Sequence, residues 1–243
     1  MQDKHYESFI FQKKKKSDEF LERFKNPDFV DKIVLDFGCG LGALSFTIAE
    51  RGAKKVIGLD LNSERIHWAN DLILKTYSSL KERIYFVDYD IFNFHISNID
   101  YIVSKATFEH INNLEEILNE LKNKLKSGGK IFAGFGPLYD SPYGDIPKNP
   151  FPWAHKIIPS FLYFPILSKL NHKQIKNISD LGINGYSYND YIKIFYSIQG
   201  LRVEEIRLNV SNRFINKYLD IIIKIPFIRR FFIYNIYVTF CKI

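Results

Sequence analysis

Short apolar runs and amphipathic runs take turns through the first half of the chain. Ile33-Val34-Leu35, Lys55-Val56-Ile57-Gly58-Leu59-Asp60, Asp100-Tyr101-Ile102-Val103-Ser104 and Ile131-Phe132-Ala133-Gly134-Phe135 are rich in β-branched and aromatic residues and read as buried strands. Ala43 to Arg51 reads as a helix with Leu44, Ile48 and the nearby alanines on one face, and Asp18 to Lys25 as an introductory helix. Such alternation predicts parallel strands joined by right-handed crossovers, with a ligand crevice at the carboxyl ends of the strands. From Gly136 to Ser187 the alternation stops, and the prolines from Pro137 to Pro165 interrupt any long helix. Residues 137–187 therefore read as an insertion that closes over a substrate. Helix and strand resume at Asn189 to Ser197 and Gly200 to Ile206, and Tyr234 to Ile243 reads as the last strand.

The first strand runs through Asp36 into Gly38-Cys39-Gly40-Leu41-Gly42, so the glycines occupy a strand-to-helix turn. Glycine suits a sharp bend that a ligand must approach more closely than a Cβ would permit. The run Gly38 to Ala43 also satisfies the G-x-G-x-x-G/A pattern of dinucleotide-binding proteins. Asp60 ends the second strand about 20 residues past the glycines, where a carboxylate accepts hydrogen bonds from ribose hydroxyls. Asp36 separates the two readings. A carboxylate beside the turn repels a pyrophosphate and attracts an ammonium group.

These residues resemble the class I S-adenosylmethionine-dependent methyltransferases, whose first motif runs acid-x-Gly-x-Gly-x-Gly as Asp36 to Gly42 do, and Gly136 to Asp145 followed by Pro152-Trp153-Ala154-His155 resembles a pattern in small-molecule methyltransferases of type 11. Phe86-Val87-Asp88-Tyr89-Asp90-Ile91 resembles the third-strand motif, Phe108-Glu109-His110 the segment after the fourth strand, and Leu125 to Ile131 the approach to the fifth. The resemblance covers roughly residues 30 to 137. It implies a Rossmann-like, doubly wound α/β fold: a mostly parallel seven-stranded sheet with an antiparallel final strand and a cap insertion after the fifth strand. Residues 1–243 would form a single methyltransferase domain, with 1–29 as an N-terminal helical segment. It further implies S-adenosylmethionine as cofactor, S-adenosylhomocysteine as product and no metal. The implied cofactor-binding residues are Asp36, Gly38, Cys39, Gly40, Gly42, Asp60, Leu61, Asp90, Ile91 and Lys105, with Asp88 as the fallback for Asp90 at the adenine amino group.

Composition agrees with one large α/β domain: 243 residues, of which 46% are apolar, can fill its core. The net charge of +7 owes part of its excess to Lys13-Lys14-Lys15-Lys16, a run that reads as a solvated face, so nucleic acid is a minor hypothesis. Cys39 and Cys241 lie far apart in sequence without metal-like spacing, which argues against both disulfide and zinc. Met1 to Ser17 lacks the apolar stretch of a signal peptide, and a cytoplasmic location is expected. Two apolar segments, Ile157 to Leu170 and Leu219 to Val238, are too short or too interrupted by Pro, Lys and Arg to span a membrane. They read as part of a cap and as a final hairpin, with an interfacial helix carrying basic anchors as the alternative.

Methyl transfer from a sulfonium asks mainly for in-line alignment of the acceptor, and a hydroxyl acceptor also needs a base. The expected acceptor is a small molecule, methylated at a hydroxyl oxygen. The titratable groups beyond the strand ends are His110, Asp140, Tyr143, Asp145 and His155. His155 is the leading candidate, because imidazole accepts a proton without an extreme environment, and His110 and Tyr143 follow. A catalytically inactive binding protein of the same fold and an NAD(P)-dependent reductase are the alternatives. The oligomeric state is open.

Overall fold

The computed structural model describes residues 2–209, 223–225 and 227–243, with side chains from Gln12 onward. The helices are α1 (Gln2–Glu22), α2 (Ala43–Glu50), α3 (Ser63–Lys75), α4 (Leu114–Lys124), α5 (Ala154–Ile157), α6 (Ser160–Asn171) and α7 (Tyr188–Ser197). The strands are β1 (Ile33–Phe37), β2 (Lys55–Leu59), β3 (Ile84–Val87), β4 (Ile99–Lys105), β5 (Leu125–Phe135), β6 (Leu201–Leu208) and β7 (Ile236–Lys242). They form one sheet in the order β3-β2-β1-β4-β5-β7-β6. The first five are parallel where they pair, and β7 runs antiparallel to both β5 and β6. The sheet is thus the mostly parallel, doubly wound one expected, with its antiparallel final strand.

Alternation along each strand assigns the two faces. Leu35, Ile57, Ile102 and Ile131 pack with α4 and α7, through Leu118, Leu121, Tyr191 and Phe195. Val34, Val56, Val103 and Phe132 pack with α1, α2 and α3, through Phe20, Phe24, Phe46 and Ala69. Period-2 strands covered by helices on both sides give this division. A third, smaller core lies within the insertion and contains Ile146, Ala154, Tyr163, Leu167, Ile175 and Ile183.

Several element boundaries differ from the sequence reading. The introductory helix does not begin at Asp18 but continues back through the lysines. Ser17, Phe20, Leu21 and Phe24 are its buried stripe, and Lys13, Lys15 and Lys16 are solvated, as their charge suggested. β5 begins at Leu125 because Leu125 pairs with Ile99 ahead of an irregularity after which Lys130 pairs with Tyr101. β3 ends at Val87, so Asp88 and Asp90 sit in the turn beyond it. The largest difference is α6, which runs twelve residues with Pro165 inside it. Tyr163 and Leu167 anchor that helix in the small core, and tertiary packing overrides the missing backbone donor. Among the described residues no helix is long and apolar enough to cross a membrane, and part of Leu219 to Val238 lies outside them.

Candidate active site

At the carboxyl ends of β1 and β2 the backbone folds onto two carboxylates. The Asp60 carboxylate accepts from the Gly40 N–H (2.9 Å) and the Asn62 N–H (2.9 Å), which ties the glycine turn to the end of β2. Gly38 N–H and Cys39 N–H both donate to the Leu59 carbonyl. Gly42 has φ of 81°, and a Cβ there would lie 2.3 Å from the Phe86 ring, so this position needs glycine for both conformation and space. A Cβ on Gly40 would meet nothing within 4 Å, so the turn has open space above that residue. Its emptiness fits a ligand laid against the main chain.

Asp36 is buried at 1% exposure and accepts from the Ser45 hydroxyl at 2.6 Å. Burial pushes its pKa from 3.8 to about 7, against the opposing pull of Ser45 and Lys105. Lys105, at the end of β4, lies 5.8 Å from the centre of the Phe20 ring. Burial lowers its pKa to about 8; Asp36 opposes that shift, while Lys13, Lys16 and Arg23 add to it. Leu61, next to Asp60, leaves 75% of its apolar surface exposed at the same edge. Asp90 uses Oδ1 to accept from the Phe92 N–H (2.9 Å), which shapes the turn after β3. The Ile91 side chain is buried in the core, leaving only its backbone to a ligand. Cys39 is also a packing residue: its thiol is buried beneath the turn and its pKa lies well above the ordinary value, chiefly through burial.

The sequence candidates for a base separate in space. His155 is buried in the insertion with both ring nitrogens engaged. Its Nε2–H donates to the Tyr139 carbonyl (2.7 Å), so Nδ1 accepts from the Asn149 amide (3.0 Å). Asn149 in turn accepts from the Tyr163 hydroxyl (3.1 Å). The leading sequence candidate is therefore a structural group with no free lone pair in this conformation, and burial lowers its pKa. Tyr143 is half exposed, and its carbonyl accepts from Asn149 (3.3 Å).

His110 lies on the turn after β4, exposed, with Nδ1 2.6 Å from the Gly182 carbonyl. A carbonyl only accepts, so Nδ1 carries the proton and Nε2 keeps its lone pair in the neutral ring. Beside it, Glu109 is buried at 4% exposure. Its Oε1 accepts from the Gly136 N–H (3.2 Å), while Oε2 has no hydrogen-bond partner among the described residues. Burial raises Glu109 to about 7; the charge of His110 lowers it and that of Asp145 raises it. Asp145 is also raised by burial and lowered by His110. The sequence reading placed the Glu109-His110 pair in the segment after the fourth strand but gave the Glu109 carboxylate no role. A hydrophobic residue on each side of the pair, at Phe108 and Ile111, was the available sign that Glu109 turns inward. The return leg of the insertion is stitched to this turn by Asn184, whose amide donates to the carbonyls of Phe108 (2.8 Å) and Ile111 (3.0 Å). Among the described residues no group of three or more His, Cys, Asp or Glu side chains could hold a metal ion.

Comparison with known proteins follows the same lines. Residues 28–135 match a sequence family described as a methyltransferase domain. Protein arginine N-methyltransferase 1 of Saccharomyces cerevisiae is 29% identical over 169 residues, covering 63% of this chain and 47% of that protein. Phosphoethanolamine N-methyltransferase 2 of Caenorhabditis elegans is 29% identical over 119 residues, covering 46% of this chain and 25% of that protein. The matches thus take in less than half the length of these relatives. Among solved structures, a putative S-adenosylmethionine-dependent methyltransferase from Listeria monocytogenes has a TM-score of 0.62 at 19% identity, over 92% of this chain and 98% of that one. Geranyl diphosphate C-methyltransferase from Streptomyces coelicolor has a TM-score of 0.61 at 15% identity, over 93% of this chain and 79% of that one. Residues 28–135 thus match a methyltransferase domain, and the shared fold is that of S-adenosylmethionine-dependent methyltransferases, in agreement with the motifs at the ends of β1 and β2.

Proposed function

We propose that this chain transfers a methyl group from S-adenosylmethionine to a hydroxyl oxygen of a small molecule bound beneath residues 137–187. The observation that carries the acceptor assignment is His110, whose Nδ1–H is committed to the Gly182 carbonyl and whose Nε2 is left as a proton acceptor. When bound, the cofactor supplies an electrophilic methyl group on a positively charged sulfur. Asp36 would hold its ammonium group, Asp60 the ribose hydroxyls, and Leu61 and Asp90 the adenine. The open space above Gly40 and the exposed apolar surface of Leu61 support that fit. The remaining tasks for the protein are alignment of the acceptor and removal of its proton. Glu109 and Asp145 lie near enough to His110 for its charge to act on both carboxyls. Those two carboxyls favour a second reading, an amine acceptor that gives up its proton before attack, and two of the relatives named above are N-methyltransferases.

Calorimetric titration with S-adenosylhomocysteine, with NADPH as control, tests the cofactor. Micromolar binding of the first alone is expected, and binding of NADPH alone overturns the reading. His110→Ala then tests the base: turnover is expected to fall by about 10²-fold, the scale of general-base catalysis, with cofactor affinity unchanged. Undiminished turnover removes His110 from that role, and methylation at nitrogen in the product selects the second reading.

A further inference from the structure

The outward face of α6 has the wrong polarity for a water-facing helix. Tyr163 and Leu167 point into the small core of the insertion, whereas Phe161, Leu162 and Ile166 are 73%, 50% and 42% exposed and Leu170 is 39% exposed. Ile157, the last residue of α5, adds a further 66% exposed side chain. Pro165 and Lys169 complete that face, with the one charge on it in the last turn of the helix. Scattered exposed apolar residues are ordinary on a protein surface; a contiguous set along one helix face marks an interaction site.

The surrounding charge identifies the partner. Between Asp145 and Asp180 the chain has no acidic residue but five lysines: Lys148, Lys156, Lys169, Lys173 and Lys176. Lys156 is paired with buried Asp140 at 2.5 Å. Lys148 donates to the Leu170 carbonyl (2.7 Å) and Lys173 to the Asp180 carbonyl (3.0 Å), and the charges of Lys173 and Lys176 also act on the Asp180 carboxylate, so the five lysines face only Asp140 and Asp180 and leave an excess of positive charge. The chain after Asp220 repeats the pattern, with no acidic residue, with Lys224, Arg229 and Arg230, and with Phe227 88% exposed. That segment meets the insertion through Phe232 and Trp153, whose ring centres are 5.5 Å apart.

We infer that the outer face of α6 lies on an anionic lipid bilayer, with Phe161, Leu162 and Ile166 in the acyl boundary and the bordering lysines among the headgroups. An apolar face rimmed by an excess of cations fits that surface from both sides. A second copy of the chain fits it less well, because a two-fold contact of this face with itself brings the lysines of both copies together. Twelve residues of helix extend about 18 Å, well short of a hydrocarbon core, so the contact is interfacial and not spanning. The face lies on the insertion proposed to cover the acceptor, but its docking does not depend on catalysis, and its failure would leave the methyltransferase reading intact.

Sedimentation of the full chain with vesicles tests this directly. Binding to vesicles of phosphatidylcholine mixed with phosphatidylglycerol is expected to be at least about tenfold tighter than to phosphatidylcholine alone, and to weaken with added salt. The double variant Phe161→Ser and Ile166→Ser should lose about tenfold or more on the anionic vesicles, with an unchanged thermal melt because both side chains are exposed. Lys169→Glu with Lys173→Glu provides an independent variant and should lose binding to the anionic vesicles alone. Equal binding of the unmodified chain to both vesicles, or binding to neither, overturns the inference. So does a dimer in light scattering that the serine variant dissolves.

Discussion

At the ends of β1 and β2, two carboxylates are each held by donors beside them: Asp60 by the Gly40 and Asn62 amides, Asp36 by the Ser45 hydroxyl. In the insertion the holding is done by a chain of side chains bonded to one another. His155 bridges Tyr139 and Asn149, and Asn149 is met by Tyr163, fourteen residues away. The first region has open space above Gly40, beside the carboxylate of Asp60, and the second contains a closed network whose lone pairs are used internally. A cofactor common to a whole class can be met by a short motif. An acceptor peculiar to one protein has to be met by a surface assembled from distant residues, and there the fold gives each protein its own solution.

Asp36→Asn breaks the first region most sharply. The buried carboxyl has a folded pKa of about 7 against 3.8 ordinarily, so its contribution to stability is present below 3.8 and is lost as the pH rises through 7. Three units correspond to at most about 4 kcal/mol, so the neutral amide should stabilise the unliganded protein by about 2 kcal/mol at pH 8 and by much less at pH 5. Glu109 is raised through the same window, and comparison of variant with parent isolates Asp36. Cofactor affinity should move the other way, falling by about 10²-fold, the scale of a lost interaction with a charged group. In the parent protein, affinity should decline as the pH drops below 7, because the carboxylate proposed to hold the ammonium group becomes protonated. Urea titrations at the two pH values and calorimetry with S-adenosylhomocysteine check the pair of effects, and a variant that is both less stable and equally tight in binding contradicts the role given to Asp36.

His155→Ala breaks the second region. It leaves the Tyr139 carbonyl and the Asn149 amide short of a partner in a buried network, which should cost about 2 kcal/mol of local stability. Faster hydrogen exchange over 139–171 is expected, with cofactor affinity unchanged and turnover reduced through the acceptor's KM. The parent should show a weaker form of the same loosening on acidification. His155 has a folded pKa below 6.5, so its stabilisation is present above that value and lost as the pH falls toward the lowered one. A fall in kcat alone, with exchange unchanged, would return His155 to catalysis.

This contrast also explains what could be read from the sequence. β1, β2 and β4 and the positions of Asp36 and Asp60 were legible because each acid follows a strand of readable period, Asp36 beside the glycine turn and Asp60 about 20 residues past it. The inward turn of Glu109 was not, since it depends on Gly136 and Asn184 closing over it from elsewhere in the chain. Nor was the engagement of His155, for the residue has the same neighbours in sequence whether or not Asn149 reaches its Nδ1. The helix through Pro165 was hidden by a rule that is sound locally and outweighed by the packing of Tyr163 and Leu167. Upstream of Asp18, four consecutive lysines concealed a helix whose buried stripe, among the described side chains, begins at Ser17.

The smallest expected effect separates the two faces of α6 itself. Leu167 is fully buried in the insertion's core, and Leu167→Ala should cost about 2–4 kcal/mol in that unit, through lost burial and the cavity left behind. Leu162 lies one turn away on the same helix at 50% exposure, and Leu162→Ser should change stability in solution by no more than about 0.5 kcal/mol. If the two substitutions cost alike, the outer face is packed in solution against part of the chain or a second copy, and its apolar character is structural. If they differ as expected, nothing in the fold requires leucine, isoleucine and phenylalanine on that surface, and their presence is explained by what the surface meets.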